Sequence, residues 1–126
     1  LLKAGGTVLA LISDGPWQTQ QNKLRALGLE AWFDHLVFTG ARGEDWGKPS
    51  PRAFQAVMEQ TGVPAAACVY VADNPGKDFV GPNRLGWHTI RVREKVGLYH
   101  DAIPPPGGEP RAAVNTFSAL GDLLLA

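Results

Sequence analysis

Short apolar runs alternate with segments of helical periodicity along this chain. The first run, residues 7–12, is apolar almost throughout, which is typical of a strand that is buried on both faces. Shorter apolar runs predict three further strands, at residues 36–38, 67–72 and 89–92. The spacing of apolar positions predicts four helices, at residues 17–27, 51–61, 77–85 and 117–125. Because strands alternate with helices, the pattern predicts an α/β fold with a doubly wound parallel sheet.

Turn-forming residues mark the ends of these elements. Gly28 and Gly86 each follow a predicted helix, at the position where glycine commonly adopts the left-handed conformation that ends a helix. Ser50 can cap the helix that begins at Pro51, since proline is favoured at the first helical position. Residues 101–111 contain three consecutive prolines followed by two glycines, so we expect an extended, exposed loop there.

Composition narrows the class of protein. With 126 residues, of which 44% are hydrophobic and 19% charged, the chain has the composition of one soluble globular domain. Twelve basic and twelve acidic residues cancel, so no net charge favours nucleic acid or an anionic membrane as a partner. No apolar run approaches the ~20 residues that span a bilayer. Cys68 is the only cysteine, so no internal disulfide forms and we expect a cytoplasmic location.

Polar residues follow the predicted strands at their carboxyl ends, where parallel sheets bind ligands. Ser13 ends the first strand, and Lys48 lies in the loop after the second. Asp73 ends the third strand, and Asp78 follows five residues later. A hydroxyl and an ammonium group bind anionic oxygens, and paired carboxylates hold a hard cation. Together these residue types predict a site for a phosphoryl group and a magnesium ion.

Each of these residues also has a simpler interpretation. Ser13 precedes Asp-Gly, a common turn sequence, and Lys48 alone is typical of a solvated loop. Asp73 can start a turn and cap the next helix, while Asp78 can complement the dipole of that helix. Their combination at one edge of the predicted sheet is what favours a functional site.

Three segments resemble motifs of the haloacid dehalogenase superfamily. A hydrophobic strand that ends in Ser or Thr is matched by residues 9–15, LALISDG. The lysine motif of the phosphatase-like branch is matched by residues 47–54, GKPSPRAF. The strand followed by two acids is matched by residues 69–79, VYVADNPGKDF. The resemblance covers about residues 7–93, and it implies the C-terminal part of one Rossmann-like core domain over residues 1–126.

The resemblance implies a magnesium-dependent phosphohydrolase that acts on a small phosphorylated metabolite through an aspartyl-phosphate intermediate. Ser13 would donate a hydrogen bond to the transferred phosphoryl group, and Lys48 would offset negative charge on the nucleophile and the intermediate. The backbone amides of Asp14 and Gly15 are further candidates for binding the phosphate.

The same resemblance assigns the two acids of the third segment to Mg²⁺. Asp73 would ligate the ion, and Asp78 would assist through water or by orienting its neighbours. Ala72 stands where the superfamily commonly has glycine, so the pocket is expected to be slightly more crowded at that point.

The Asp-x-Asp motif of the superfamily, which carries the nucleophile, has no counterpart here. Residues 1–12 contain no acid, and in the superfamily this strand lies centrally, between the strands that here end at Ser13 and Asp73. We expect ~80–130 further N-terminal residues with this strand and a helical cap, from ordinary domain sizes. Without that segment, or a second chain, residues 1–126 are expected to fold poorly and to be inactive.

Three other classes of protein are alternatives to this interpretation. A receiver-type signalling domain has its acids first and its lysine last, which is the reverse of the order here. A nucleotide-binding Rossmann domain needs a glycine pattern that the turn at 13–16 lacks. A catalytically inactive binding or structural module of the same fold stays open, because the nucleophile is absent from these residues.

Overall fold

The computed structural model describes residues 2–125 of the chain. These residues form two compact units, and the division falls between Gly62 and Val63. No helix within residues 2–125 is both long enough and apolar enough to cross a membrane.

The first unit is built on two parallel strands. Its elements are β1 (Ala10–Ser13), α1 (Trp17–Ala26), β2 (His35–Phe38) and α2 (Arg52–Thr61). Short 3-10 helices occupy Glu30–Trp32, Thr39–Ala41 and Glu44–Trp46. In the register of the two strands Ser13 lies opposite Phe38, so β1 and β2 end at the same edge. The turns that follow the two strands therefore begin side by side.

The second unit contains a three-stranded parallel sheet. Its elements are β3 (Val69–Ala72), α3 (Val80–Leu85), β4 (His88–Val92), β5 (Ala112–Val114) and α4 (Phe117–Leu125), with a 3-10 helix at Ala65–Ala67. The strand order is β3-β4-β5, and both pairs are parallel. Ala72, the last residue of β3, lies opposite Arg91 of β4. The carboxyl ends of β3 and β4 therefore share one edge of this sheet.

Buried apolar side chains hold the helices in place. In α2 the apolar residues recur at helical spacing, and the helix packs against β1 and β2. Ala53 and Phe54 of this helix are 0% exposed, and burial of a Phe side chain contributes about 1.5–3 kcal/mol. In the second unit Phe79 is 0% exposed, and Trp87 is buried as well.

The predicted α/β fold with parallel strands is confirmed. The strands form two sheets, β1-β2 and β3-β4-β5, so β1 and β3 each pair with one strand in the described part of the chain. The sequence pattern does not predict β5, because Ala112–Val114 is short and contains one β-branched residue.

The expectation that the first strand is buried on both faces is wrong. The strand begins at Ala10, and Ala10 itself is exposed. Val8, within the apolar run, is 46% exposed, whereas Ile12 is buried. Within the described residues β1 pairs only with β2, which has four residues. The apolar run is therefore longer than the segment that β2 can pair with.

The proline-rich and glycine-rich loop at residues 101–111 has no helix or strand, as predicted. It is not exposed throughout, because Gly108 is buried. The amide nitrogen Nδ2 of Asn83 in α3 donates to the carbonyl oxygens of Gly107, at 3.0 Å, and Glu109, at 2.7 Å. The Oδ1 atom of Asn83 accepts a hydrogen bond from the Thr89 hydroxyl at 2.8 Å. Asn83 therefore joins the loop to α3 and β4.

Substitution of Asn83 by Ala is expected to destabilise the second unit. The Asn83→Ala change leaves two loop carbonyls and one hydroxyl without this partner, and we expect the free energy of unfolding to fall by about 1–3 kcal/mol. Urea unfolding of the complete protein measures the effect. Asn22→Ala, at an exposed position of α1, is the matched control and should change the free energy of unfolding little. Equal effects at the two positions would contradict the role given to Asn83.

Candidate active site

In the first unit the turn after β1 and the turn after β2 are joined by hydrogen bonds. The hydroxyl of Thr39, which is 2% exposed, donates to Asp14 Oδ1 at 2.7 Å. The same hydroxyl lies 3.4 Å from the backbone oxygen of Ser13. Thr39 thus holds the turn that contains Ser13 and Asp14.

The carboxylate of Asp14 also reaches the loop that carries Lys48. The backbone N–H of Lys48 donates to Asp14, with 3.3 Å to Oδ2 and 3.4 Å to Oδ1. Asp14 therefore connects the carboxyl end of β1, the turn after β2 and the lysine loop. Of the predicted site residues in this unit, Ser13 and Asp14 lie at the carboxyl end of β1, and the backbone of Lys48 lies beside the Asp14 carboxylate.

Glycines allow the two turns to approach each other closely. A Cβ atom built on Gly40 would lie 2.0 Å from the carbonyl oxygen of Gly15, so no larger residue fits without movement. Gly15 has a φ of 93°, in the left-handed region that favours glycine. The backbone of Gly15, a predicted phosphate-binding position, is therefore held in place by contact with Gly40.

Thr39 was missed by the sequence reasoning, although its signal was present. It is a polar residue directly after β2, which ends at Phe38. The criterion that selects Ser13, a hydroxyl at the carboxyl end of a strand, also selects Thr39. The structure shows it as a residue that orients Asp14.

In the second unit the two predicted metal ligands lie in one turn. Asp73 follows the last residue of β3 and is exposed, whereas Asp78 is 3% exposed. The backbone N–H of Asn74 donates to Asp78 Oδ2 at 2.9 Å, and the backbone N–H of Asp78 donates to the Asn74 oxygen at 3.0 Å. Asp78 therefore closes the turn that presents Asp73.

This turn changes the interpretation of Asp78. The sequence predicts a helix from residue 77, with Asp78 in its first turn, but α3 begins at Val80. The residues before Val80 form the turn that Asn74 and Asp78 close. Asp78 therefore does not complement the dipole of α3 from within the first turn of that helix.

A cavity of about 220 Å³ opens beside Asp73. It is bounded by the carboxyl ends of β3 and β4, by the loop after β4 and by the start of α4. The residues that line it are Val71, Ala72, Asp73, Val92, Arg93, Glu94, Gly97, Tyr99, His100 and Phe117. An exposed carboxylate thus lies at the wall of a pocket with both apolar and charged side chains.

Comparison with known proteins identifies the family. A family model described as haloacid dehalogenase-like hydrolase matches residues 1–86, a range that includes all the predicted site residues. The chain belongs to the haloacid dehalogenase-like hydrolases. The resemblance that its motifs suggest is therefore confirmed.

Curated phosphatases and solved structures are among the proteins similar to this chain. The glyceraldehyde 3-phosphate phosphatase of Methanopyrus kandleri is 34% identical over 103 residues, which cover 82% of this chain and 42% of the relative. That of Methanocaldococcus jannaschii is 35% identical over 100 residues, covering 79% and 42%. The crystal structure of an HAD phosphatase from Thermococcus onnurineus superposes with a TM-score of 0.79 at 23% identity, covering 98% of this chain and 53% of that one.

The chain spans less than half the length of these curated relatives, 42% in both cases. The superposition with the Thermococcus onnurineus protein supports the fold across both sheets.

The donor set of the second unit fits a magnesium ion. Within residues 2–125 no group of three or more His, Cys, Asp or Glu side chains is placed to hold a metal. Mg²⁺ is usually bound by one or two carboxylates together with waters and substrate phosphate, whereas zinc takes three or four protein ligands. The exposed carboxylate of Asp73 and the adjoining Asp78 suit the first kind of site.

Proposed function

We propose that this chain is the C-terminal core part of a magnesium-dependent phosphohydrolase that acts on a small phosphate monoester. The observation that carries the proposal is the carboxylate of Asp14, which joins the end of β1 to the backbone of Lys48. This contact supports a site at that strand edge, to which Ser13 would contribute a hydroxyl and Lys48 an ammonium group, on a chain of the haloacid dehalogenase-like family. Membership of that family and the glyceraldehyde 3-phosphate phosphatases among the relatives support a small phosphorylated metabolite as substrate.

The first unit is proposed to bind the phosphoryl group. The Ser13 hydroxyl and the backbone amides of Asp14 and Gly15 would donate hydrogen bonds to its oxygens. The Lys48 ammonium group would stabilise the negative charge that develops during transfer. The carboxylate of Asp14 is engaged by Thr39 and Lys48, so its proposed contribution to phosphate binding is through its amide.

The second unit is proposed to hold Mg²⁺. Asp73 is exposed and would ligate the ion, and Asp78 would keep the turn in the conformation that presents Asp73. When bound, the ion neutralises phosphate charge. Burial of Asp78 in the turn supports a positioning role for it.

The nucleophile is proposed to come from outside these residues. Residues 1–12 contain no Asp or Glu, and β1 and β3 each pair with one strand among the described residues. An N-terminal segment or a second chain would supply an aspartate that forms the aspartyl-phosphate intermediate. Residues 1–126 alone are accordingly expected to be inactive.

Substitution of Asp73 by Asn tests the metal site. The complete protein should hydrolyse small phosphate monoesters with Mg²⁺ and lose this activity when a chelator is added. In Asp73→Asn the Mg²⁺ concentration for half-maximal activity and the Kd for Mg²⁺ from calorimetry should both rise by at least about tenfold. Asp122→Asn, exposed in α4, is the control and should leave both values unchanged.

The second candidate is a catalytically inactive binding or structural module of the same fold. The two candidates differ in turnover. If the complete protein hydrolyses no member of a broad panel of phosphate monoesters in the presence of Mg²⁺, the module is the better description. Turnover that depends on Asp73 favours the phosphohydrolase.

A further inference from the structure

Arg91 is a buried charged residue in the central strand of the second unit. It is 6% exposed and lies in β4, between Ala72 of β3 and Ala113 of β5 in the register of the sheet. Ala72 directly precedes Asp73, the proposed magnesium ligand. A buried guanidinium group needs hydrogen-bond acceptors, and their location indicates what it does.

The acceptors of Arg91 all belong to the loop that follows β4. Its Nη2 atom lies 2.9 Å from the carbonyl oxygen of Tyr99, 3.2 Å from that of His100 and 3.0 Å from that of Ala102. The Nε atom of Arg93 donates to the same His100 oxygen at 2.6 Å. Hydrogen bonds from a charged donor are about twice as strong as neutral ones. The strand therefore fixes the backbone of the segment 97–102 through two arginines.

This segment forms one wall of the cavity beside Asp73. Gly97, Tyr99 and His100 line the cavity together with Asp73 and Arg93. Burial and the nearby charge of Arg93 lower the pKa of Arg91, while the charge of Asp73 acts in the opposite direction. Arg91 thus holds a segment that lines the same cavity as Asp73, the proposed metal ligand.

We propose that Arg91 is a positioning residue that sets substrate specificity. By fixing the segment 97–102 it shapes the cavity beside Asp73, which receives the part of the phosphate monoester that lies beyond the phosphate. A cavity of about 220 Å³ suits a group of a few carbon atoms, with charged partners in Arg93 and Glu94 and a polar one in His100. This inference rests on the proposed phosphohydrolase function.

The test is the Arg91→Met variant of the complete protein, in which a side chain of similar length replaces the guanidinium group. We expect the KM for a small phosphorylated metabolite to rise by about tenfold or more, because a loosened wall misplaces the substrate. The Ki for inorganic phosphate, which contains no group for the cavity, should stay within about twofold of the wild-type value. Hydrogen exchange of the backbone amides at residues 97–102 should become faster.

Two further variants complete the experiment. Arg91→Lys keeps a cation with several donors, so its KM and exchange rates should lie between those of Arg91→Met and wild type. If Arg91→Met does not fold, the comparison of Arg91→Lys with wild type is the test. Arg84→Met, exposed in α3, is the control and should change neither.

The results separate this inference from the proposed function. If the wild-type protein neither hydrolyses a phosphate monoester nor binds inorganic phosphate, the proposed function fails. If it does both, but Arg91→Met and Arg91→Lys leave the KM and the exchange of residues 97–102 unchanged, the role of Arg91 is wrong. An equal rise of the KM and of the Ki for phosphate would also overturn the role of Arg91, because the variant would then weaken binding of the phosphate itself and not of the organic part of the substrate.

Discussion

Substitution of Lys48 by Met in the complete protein is expected to lower kcat by about 10² to 10³-fold, the usual effect of removing one charged group that stabilises a transition state. The reason lies in how the residue is held. The backbone N–H of Lys48 donates to the Asp14 carboxylate, and this contact survives when the side chain changes. Lys48→Met therefore removes the ammonium group while the loop that carries it keeps its anchor. The measurement is kcat with Mg²⁺ and a small phosphate monoester.

The Lys48→Met test needs a control that loses one positive charge at a position outside the proposed site. Lys23→Met, exposed near the end of α1, removes one positive charge from the same unit and should leave kcat unchanged. Thermal melting of both variants checks that each one is folded. A kcat for Lys48→Met within about twofold of wild type would contradict the role of the ammonium group in transfer.

The helices show how far the sequence alone predicts this fold. α2 begins at Arg52, one residue after the predicted start, because Ser50 and Pro51 mark its beginning and the hydroxyl of Ser50 accepts a hydrogen bond from the Arg52 N–H. Helix α4 has the predicted bounds, Phe117–Leu125. Local capping and spacing rules suffice for such elements. They fail for α3, where the hydrogen bonds between Asn74 and Asp78 form a turn in place of the first predicted helical residues.

The candidate site is predicted less completely, for a physical reason. Ser13, Lys48 and Asp73 are found from the sequence because each follows a strand or matches a motif. The contact between Asp14 and Lys48 joins positions 34 apart in sequence, and no local propensity indicates such a pair. The hydrogen bonds of Arg91 likewise depend on the path of a loop with no regular structure. Hydrogen bonds between positions that are distant in sequence can be identified only when the path of the backbone is known.

Substitution of Gly40 by Ala is expected to damage both stability and activity, because the added Cβ meets backbone. The Cβ would lie 2.0 Å from the carbonyl oxygen of Gly15 and 3.0 Å from its carbonyl carbon, so the turn after β1 must move. Overpacking of this kind costs about 1–3 kcal/mol of unfolding free energy, and a turn displaced by ~1 Å can lower activity by about 10²-fold. Urea unfolding of the complete protein and its kcat/KM for a small phosphate monoester measure the two effects.

The matched control for Gly40→Ala is the same change in a helix. A Cβ on Gly121 in α4 meets nothing within 4 Å, and Ala is favoured over Gly in a helix by up to about 1 kcal/mol. Gly121→Ala should therefore stabilise the protein slightly and leave its activity unchanged, so that one chemical change has opposite effects at two positions. If Gly40→Ala instead has wild-type stability and activity, the turns of Gly15 and Gly40 are not in contact, and the close approach that positions the proposed phosphate-binding amides is wrong.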